Sequence, residues 1–172
     1  QKTPGRKPTA HHCPYLTVRN VQRGTLDLSH VERFEVSQSE LERLRLVRGD
    51  ILIVEGNGSP DQIGRNAVFD LDGLDWIHQN HVIRVRLGGD ALYEFVSLFL
   101  NSPEGKTQML HRARSTSGLY TLSVDKVGSL QVPLPPIAEQ TRLVECLTLR
   151  IRAAEHLAGW CRDEANTLDA LP

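Results

Sequence analysis

The sequence predicts an α+β protein, a mixed α/β domain followed by a long C-terminal helix of the coiled-coil type. Three observations lead to this prediction. Short apolar runs rich in β-branched residues alternate with segments in which apolar residues have helical spacing. Glycine, asparagine and proline interrupt these runs up to Pro136. From Ile137 onward, a seam of apolar and small residues continues in steps of three and four.

The first elements are predicted to be a strand and a short helix. Residues 15–21 (YLTVRNV) alternate between apolar and polar side chains, so we expect a half-buried strand. Ser37 and Glu40 have the spacing of a capping box, and leucines follow at helical spacing. We therefore predict a short amphipathic helix from this cap to about Arg45.

The middle of the chain is predicted to hold buried strands joined by polar loops. Residues 51–54 (ILIV) form a continuous apolar run that is typical of a buried strand. Residues 55–66 (EGNGSPDQIGRN) show no periodicity, which predicts a long loop, and such loops are often functional. The segment DLDGLD lies between the apolar residues 67–69 and 76–77, which predicts a hairpin or a tight connection. Residues 81–87 alternate again and predict another strand.

The rest of the domain is predicted to be mainly helical. Asp90 is placed to cap a helix whose apolar residues recur at helical spacing up to position 100. A second helical piece is expected at about 105–113 and a short helix at 123–130. The prolines in QVPLPP, at 131–136, favour extended backbone before the last element.

The last element is predicted to be one long helix, roughly 48 Å at 1.5 Å per residue. Pro136 stands just before it, where its fixed φ favours a helix start. Because a small domain cannot cover so long a stripe, we expect the helix to project and to pair with another helix; a helix folded back on its own domain is the alternative. The seam consists of Ile137, Gln140, Val144, Leu147, Ile151, Ala154, Ala158, Cys161, Ala165 and Leu168.

Basic residues are concentrated in two blocks, although the formal net charge is only −1. Residues 1–24 and residues 105–118 contain Lys and Arg but no acidic residue. The chain has sixteen arginines and four lysines, and the planar guanidinium suits phosphates and guanine edges. The blocks therefore indicate a nucleic-acid partner. The alternative is that these arginines are solvated surface charges or partners of the acidic residues.

A catalytic function finds little support in the sequence. The segment AVFDLDG at 67–73 resembles the motif of haloacid-dehalogenase-type phosphatases, with Asp70 as nucleophile and Asp72 as acid or base. However, Leu74 stands where that motif has Thr or Val, and no later acidic pair for magnesium follows. No phosphate-binding loop, nucleophile elbow or zinc-ligand spacing is found. We predict no catalytic residue, no metal and no cofactor.

Five segments, in order, resemble one known family: PYLTVRNVQRGTLDLSHVERFEV, ERLRLVRGDILIVEGNGSPDQIGRNAVF, QNHVIRVR, STSGLYTLSVDKVGSLQVPLPP and IAEQTRLVE. From about Pro14 to Glu145 the chain resembles a target recognition domain of type I restriction-modification specificity subunits. Within it, GDILIVEGN, the Gly64–Arg65 turn, residues 79–81 and the TSG loop match the family pattern. Several separated motifs in the right order are far more specific than any one of them.

The resemblance implies a DNA-reading domain of mixed α/β type joined to a long spacer helix, which pairs antiparallel with a counterpart helix. It also implies docking of methyltransferase (modification) subunits and of a restriction and translocase subunit. Family members carry two domains and two such helices, so this chain is expected to be a fragment or a half subunit that dimerises. We assign residues 1–134 to the recognition domain, with its N-terminal part truncated, and residues 135–172 to the spacer or dimerisation helix.

The predicted DNA-binding side chains are cations, amides and hydroxyls in loops, at strand entries or in the acid-free blocks. They are Lys2, Arg6, Lys7, Arg19, Asn57, Ser59, Gln62, Arg65, Gln79, Asn80, His81, Arg112, Arg114, Ser115, Thr116 and Ser117. Phosphate contacts are expected from Lys2, Arg6, Lys7, Arg112 and Arg114, and base contacts from Arg19, Asn57, Gln62, Arg65, Asn80 and Ser117. The predicted helix-pairing residues are Ile137, Val144, Leu147, Ile151, Ala154, Ala158, Cys161 and Leu168.

The sequence thus predicts a non-catalytic module that recognises a sequence in double-stranded DNA and directs modification and restriction subunits to it. The runner-up is a protein interaction module recruited through its C-terminal helix, and a remote alternative is the magnesium-dependent phosphatase. The three cysteines lack a CxxC spacing, and no apolar stretch is long enough for a membrane span. We therefore expect reduced thiols, no membrane association and a cytoplasmic location.

Overall fold

The computed structural model describes residues 11–57, 59–116 and 119–169, with the side chains of Asn57, 114–116, Leu119 and 165–169 not included. The chain divides into two compact units, with the boundary between Pro133 and Leu134.

The described strands of the first unit form three sheets of three strands each. In the first sheet, β1 (His11–Leu16) pairs antiparallel with β2 (Glu32–Val36) and parallel with β6 (Ile77–His78). In the second, β3 (Ile51–Val54) is central between β5 (Asn66–Val68) and β7 (Val82–Val85), both antiparallel to it. In the third, β9 (Leu119–Thr121) is central between β4 (Gly56–Asn57) and β8 (Arg114–Thr116), again antiparallel.

The helices of the first unit begin and end largely where local signals predict. Helix α1 (Gln38–Leu44) starts with the expected capping box, because the Ser37 hydroxyl accepts from the Glu40 N–H and the Glu40 carboxylate accepts from the Ser37 N–H. Helix α3 (Pro103–Arg112) and helix α4 (Val124–Gly128) confirm the two later helical predictions. Helix α2 (Tyr93–Asn101) precedes α3 directly.

Two apolar clusters of buried residues are part of the core in the described part of the chain. The larger one contains Leu16, Leu52, Val54, Phe69 and Val82, with Val21, Leu46 and Ala67 completing it. The second contains Cys13, Val36, Leu41 and Ile77. All four residues of β3 are almost completely buried, as its unbroken apolar run predicts, so both faces of this central strand are covered.

The predicted strand over 15–21 is wrong in its bounds. The strand ends at Leu16, because the side-chain carbonyl of Asn20 accepts from the Thr17 N–H and turns the chain. Val21 instead makes an isolated bridge to Leu26. Asparagine competes with strand pairing in this way because its short amide reaches nearby backbone groups.

The predicted hairpin around DLDGLD is also wrong. Strand β5 pairs with β3, whereas β6 pairs with β1, so the residues that flank the connection lie in different sheets. The backbone of Trp76 and Ile77 pairs with Leu46 and Arg45, and this pairing draws β6 away from β5. Phe69 and Trp76 nevertheless make an edge-to-face contact, with ring centroids 6.1 Å apart.

Two further predictions need correction. The N-cap residue of α2 is Leu92 and not Asp90. The loop over 55–66 is not wholly irregular, because it contains β4 and a short 3-10 helix at Pro60–Gln62. Gly89 has φ of +67°, a left-handed backbone conformation that glycine adopts readily, so the chain turns just before Asp90.

The second unit consists mainly of α5 (Ile137–Asp169), a helix of 33 residues. It starts where the sequence predicts, directly after Pro136, whose carbonyl accepts from the N–H groups of Glu139 and Gln140. No helix in the described part of the chain is long and apolar enough to cross a membrane.

Candidate nucleic-acid interface

The loop after β1, residues 17–31, is held in shape by the side chain of Asn20. Only 3% of this residue is exposed. Its amide nitrogen donates to the carbonyls of Asp27 and His30, each at 2.8 Å, and its amide oxygen accepts from the Thr17 N–H at 2.8 Å. The Asn20 amide makes these hydrogen bonds to backbone groups of its own loop, and they fix the loop in one conformation. The other polar side chains of the loop then point outward.

The loop over 55–66 is fastened to this first loop by two arginines. Nη2 of Arg65 donates to the Val18 carbonyl at 3.0 Å, and Nη1 donates to Oε1 of Gln62 at 3.2 Å. Nη2 of Arg23 donates to the Asp61 carbonyl at 2.8 Å. Burial and the nearby Arg65 guanidinium lower the pKa of Arg23 from its usual value. Two segments that are separated in the sequence thus become one surface.

A buried polar cluster behind these loops connects them to α2. Asn66 is fully buried, and its amide oxygen accepts from the Ser97 hydroxyl and from Nδ2 of Asn101, both at 3.0 Å. Nδ2 of Asn66 donates to the Gly64 carbonyl, and Nη1 of Arg23 donates to Oδ1 of Asn101. Buried amides with satisfied donors and acceptors specify one arrangement, so this cluster positions the two loops.

The segment 79–81 joins the same surface. Oε1 of Gln79 accepts from the Val18 N–H at 3.4 Å, and the Gln79 N–H donates to the Leu16 carbonyl at 2.8 Å. Nδ1 of His81 lies 2.8 Å from Oε2 of Glu55, at the start of the second loop. Val18 therefore bonds through its carbonyl to Arg65 and through its N–H to Gln79, which places three predicted segments side by side.

The second basic block reaches this surface through backbone pairing. Strand β8 pairs with β9, and β9 pairs with β4, so Ser115 and Asn57 lie on either side of Tyr120. Neighbouring strands are about 4.8 Å apart, which puts β8 about 10 Å from β4. The side chains of Asn57, Arg114, Ser115 and Thr116 are not included in the described structure. Lys2, Arg6, Lys7 and Ser117 lie outside the described residues.

Several predicted DNA-binding side chains are engaged by the protein itself. Besides Arg65, Arg112 donates to the hydroxyl and the carbonyl of Ser129 and to the carbonyl of Gln108, which ties α3 to the end of α4. By contrast, the guanidinium of Arg19 is exposed and donates to no acceptor among the described residues. Asn80 is exposed as well.

Other arginines are revealed as structural only by their distant partners. Arg86 donates to both oxygens of the fully buried Asp50 carboxylate, at 2.7 and 2.8 Å, and this hydrogen bond raises the pKa of Arg86. Arg84 donates to the carbonyls of Arg43 and Arg45. Sequence reasoning could not separate these arginines from Arg19, because every partner lies many residues away.

An open cleft of about 740 Å³ lies where the first two loops meet. Its walls carry the guanidinium groups of Arg19 and Arg65, the carboxylates of Asp27 and Glu32, and the polar side chains of Gln22 and His30. Sequence reasoning missed Gln22, Asp27 and His30 in this region. Asn20 could have predicted them, because an asparagine is unfavourable in a strand and favours a turn, and a turn exposes the side chains that follow it. A second cleft of about 370 Å³ is lined by the stacked rings of Tyr15 and Phe34 and by residues 79–81.

The phosphatase alternative gains no support from this arrangement. The Asp72 carboxylate is paired with Arg48 at 2.8 Å on an exposed connection, and the Asp70 carbonyl accepts from the same guanidinium. Within residues 11–57, 59–116 and 119–169, no group of three His, Cys, Asp or Glu side chains could hold a metal ion.

Most predicted pairing residues of α5 whose side chains the structure describes are accessible to solvent; Val144 is half-buried, and the side chain of Leu168 lies outside the described part. Ile137 is 40% exposed, Leu147 40% and Ile151 44%, and the smaller Ala154, Ala158 and Cys161 are exposed too. Leu149, Leu157 and Trp160 lie off the seam and are also exposed. So many exposed apolar side chains on one helix are typical of a surface that another chain or segment covers.

Comparison with known proteins gives a consistent result. The chain is 33% identical over 132 residues to the type I restriction enzyme EcoKI specificity subunit of Escherichia coli (strain K12), covering 76% of this chain and 28% of that protein. It is 25% identical over 118 residues to the StySPI specificity subunit of Salmonella potsdam, covering 68% of this chain and 26% of that protein. The chain thus spans little more than a quarter of the length of these relatives.

The fold has a counterpart among solved structures. The HsdS subunit from Thermoanaerobacter tengcongensis superposes with a TM-score of 0.63 at 19% identity, covering 92% of this chain and 41% of that one. At this identity the likeness establishes the α+β fold with a long C-terminal helix. No protein-family model matches the chain.

Proposed function

We propose that this chain, which belongs to the family of type I restriction-modification specificity subunits, recognises a sequence in double-stranded DNA and performs no catalysis itself. The observation that carries the proposal is the meeting of three polar segments around Val18, next to a cleft with the unengaged guanidinium of Arg19. Amide, guanidinium and hydroxyl groups held in one conformation are what base-edge recognition requires.

Within this proposal the predicted residues take different roles. Arg19 and Asn80 are exposed and suited to touch DNA. Arg65 and Gln62 hold the two loops together, so they act first as positioning residues. Lys2, Arg6, Lys7 and Arg114 remain the proposed phosphate contacts, because they lie in blocks without acidic residues. Arg112 was predicted with them, but its guanidinium donates to Ser129 and Gln108, so it acts first as a positioning residue.

DNA recognition is tested by selecting duplexes from a pool of randomised double-stranded oligonucleotides with the 172-residue chain. We expect one enriched motif, and binding that weakens steeply between 50 and 200 mM salt because phosphate contacts release counterions. Arg19→Ala should weaken binding to that motif, whereas Arg48→Ala, which removes a cation already paired with Asp72, should change it little. Failure of the wild-type chain to enrich any motif would overturn the proposal.

We further propose that α5 pairs antiparallel with a helix of the same kind, which in the purified chain is a second copy. The seam supports this: an antiparallel pair sets Val144 opposite Cys161, Leu147 opposite Ala158 and Ile151 opposite Ala154, so that a larger side chain meets a smaller one in each layer. A parallel pair would set large against large and small against small, leaving bulges and voids.

The charges of α5 support the same orientation. Residues 137–152 contain three Arg and two Glu, whereas residues 153–169 contain one Arg and four acidic residues. An antiparallel pair places each half against the oppositely charged half. We also propose that the chain docks modification and restriction subunits in a larger assembly and that it is located in the cytoplasm.

Sedimentation of the chain over a concentration series tests the helix pair. We expect a dimer that Ile151→Asp dissociates, because the aspartate falls in the middle of the seam. Leu149→Asp, two residues away and off the seam, is the matched control and should leave the dimer intact. A monomer at every concentration, or equal effects of the two variants, would contradict the proposed pairing.

A further inference from the structure

The cleft between the first two loops contains opposite charges close together. Arg19 and Arg65 supply guanidinium groups, and Asp27 and Glu32 supply carboxylates. The Arg65 guanidinium is committed to Val18 and Gln62, so Arg19 is the donor that remains available. On the acidic side, the Asp27 carboxylate accepts from the Ser29 N–H at 3.0 Å, which fixes its direction.

The Asp27 carboxylate is ionised and has acceptor capacity to spare. Hydrogen bonds from Ser29 lower the pKa of Asp27, and the charges of His30 and Arg19 add to this. A carboxylate has two oxygens with about four acceptor positions, and the hydroxyl and the N–H of Ser29 occupy two of them. Arg19 and Asp27 line the same cleft.

This mixture of charges does not fit the sugar-phosphate backbone. A carboxylate facing a phosphate is repelled, so a cleft built for phosphates would contain cations and neutral donors only. Base edges in the major groove, however, present both acceptors and donors. Guanine offers O6 and N7 as acceptors, and its cytosine partner offers the N4 amine as donor.

We propose that the cleft reads a G·C base pair in the major groove, with Arg19 donating to the guanine and Asp27 accepting from the N4 amine of the cytosine. This inference rests on the proposed DNA recognition and names the chemistry of one position in the target. Asn20 makes it a built site, because its amide fixes the backbone at Asp27 and His30. Asp27 is thereby a specificity-determining residue.

The variant Asp27→Asn separates this role from a purely structural one. Asparagine retains an oxygen that accepts from the Ser29 N–H, so the turn is kept, but it replaces the second acceptor with a donor. Arg19→Ala is the second variant. Because the Arg19 guanidinium donates to no acceptor among the described residues, we expect this variant to fold like the wild-type chain. Asp72→Asn, which removes the same charge outside the cleft, is the matched control.

Each protein is used to select from the same pool of randomised duplexes, after circular dichroism shows unchanged folds. The motif selected by the wild-type chain should contain a G·C pair. At that position, Asp27→Asn and Arg19→Ala should each lower the preference for G·C over the other base pairs about tenfold or more. The preference at every other position should be unchanged. The control should retain the full motif.

The outcomes distinguish this inference from the proposed function. If the wild-type chain enriches a motif and Asp27→Asn leaves every position of it unchanged, the inference is overturned while DNA recognition stands. Uniformly tighter binding of Asp27→Asn to all duplexes would overturn it too, since the carboxylate would then only repel the backbone. If the wild-type chain enriches nothing, DNA recognition itself fails, and the inference with it.

Discussion

Strand β3 and helix α5 carry the same kind of side chain in opposite surroundings. Ile51, Leu52 and Ile53 are completely buried, whereas Ile151 is 44% and Leu149 68% exposed. The domain thus covers its apolar strands with its own sheets and loops, so its stability is a property of one chain. The helix leaves its apolar side chains accessible, so its seam contributes free energy only when a second helix covers it.

The sharpest test of this difference uses one substitution in both places. Ile53→Ala should lower the free energy of unfolding by about 2–5 kcal/mol, because it removes buried methyl groups and leaves a cavity. Ile151→Ala should change it by no more than about 0.5 kcal/mol in a chain kept dilute enough to be monomeric. Urea unfolding followed by Trp76 fluorescence, in a Trp160→Phe background, reports on the domain alone. Equal losses for both variants would break the comparison.

A buried charge offers the next largest effect. Arg86→Ala should cost about 2–4 kcal/mol, because it leaves the fully buried Asp50 carboxylate without its cation, although Arg86 itself is half exposed. Arg48→Ala removes an arginine from the exposed pair with Asp72 and should cost at most about 1 kcal/mol. Urea midpoints of the two variants measure the difference. Adding Asp50→Asn to Arg86→Ala should recover part of the loss; no recovery would show that the unpaired charge is not its cause.

Close packing within the domain predicts a smaller effect at a loop glycine. Gly64 has φ of +63°, and a Cβ there would collide with Sδ of Met109. Gly64→Ala should therefore cost about 2–3 kcal/mol, combining backbone strain with overpacking. Gly73 has φ of +88° but open space around it, so Gly73→Ala should show the strain alone, about 1–2 kcal/mol. Thermal unfolding of both variants checks this, and similar losses would argue against the packing contribution.

The smallest expected effect is a dependence of domain stability on pH. Burial lowers the pKa of His78 below its ordinary value of 6.5. The unfolded chain therefore takes up a proton at a pH where the folded domain does not, and stability is lost as the pH falls below about 6.5. The slope contributed by one histidine is at most about 1.4 kcal/mol per pH unit. Urea unfolding between pH 7.5 and 5.5 measures it, and a slope that His78→Gln leaves unchanged would assign it to another group.

The candidate interface was only partly predictable. Four segments with hydrogen-bonding side chains stand out in the sequence, but their meeting depends on bonds such as that from Arg65 to Val18, which joins residues 47 positions apart. The same limit explains why Arg65 and Arg112 resembled free cations. A local pattern shows that a residue is charged, whereas its partner is determined by how distant strands pair.

The sequence by itself determined the elements whose signals are local. The capping box at Ser37 and Glu40, the apolar run of β3 and the start of α5 after Pro136 all depend on residues within one or two turns or one strand. Only the tertiary structure decided that β6 leaves the expected hairpin for β1, that Asn20 ends β1 early, and that Arg19 and Asp27 share a cleft. The physical reason is that distant backbone and side-chain groups compete for the same hydrogen bonds. The apolar pattern of a segment does not show which of these distant groups will be its partner.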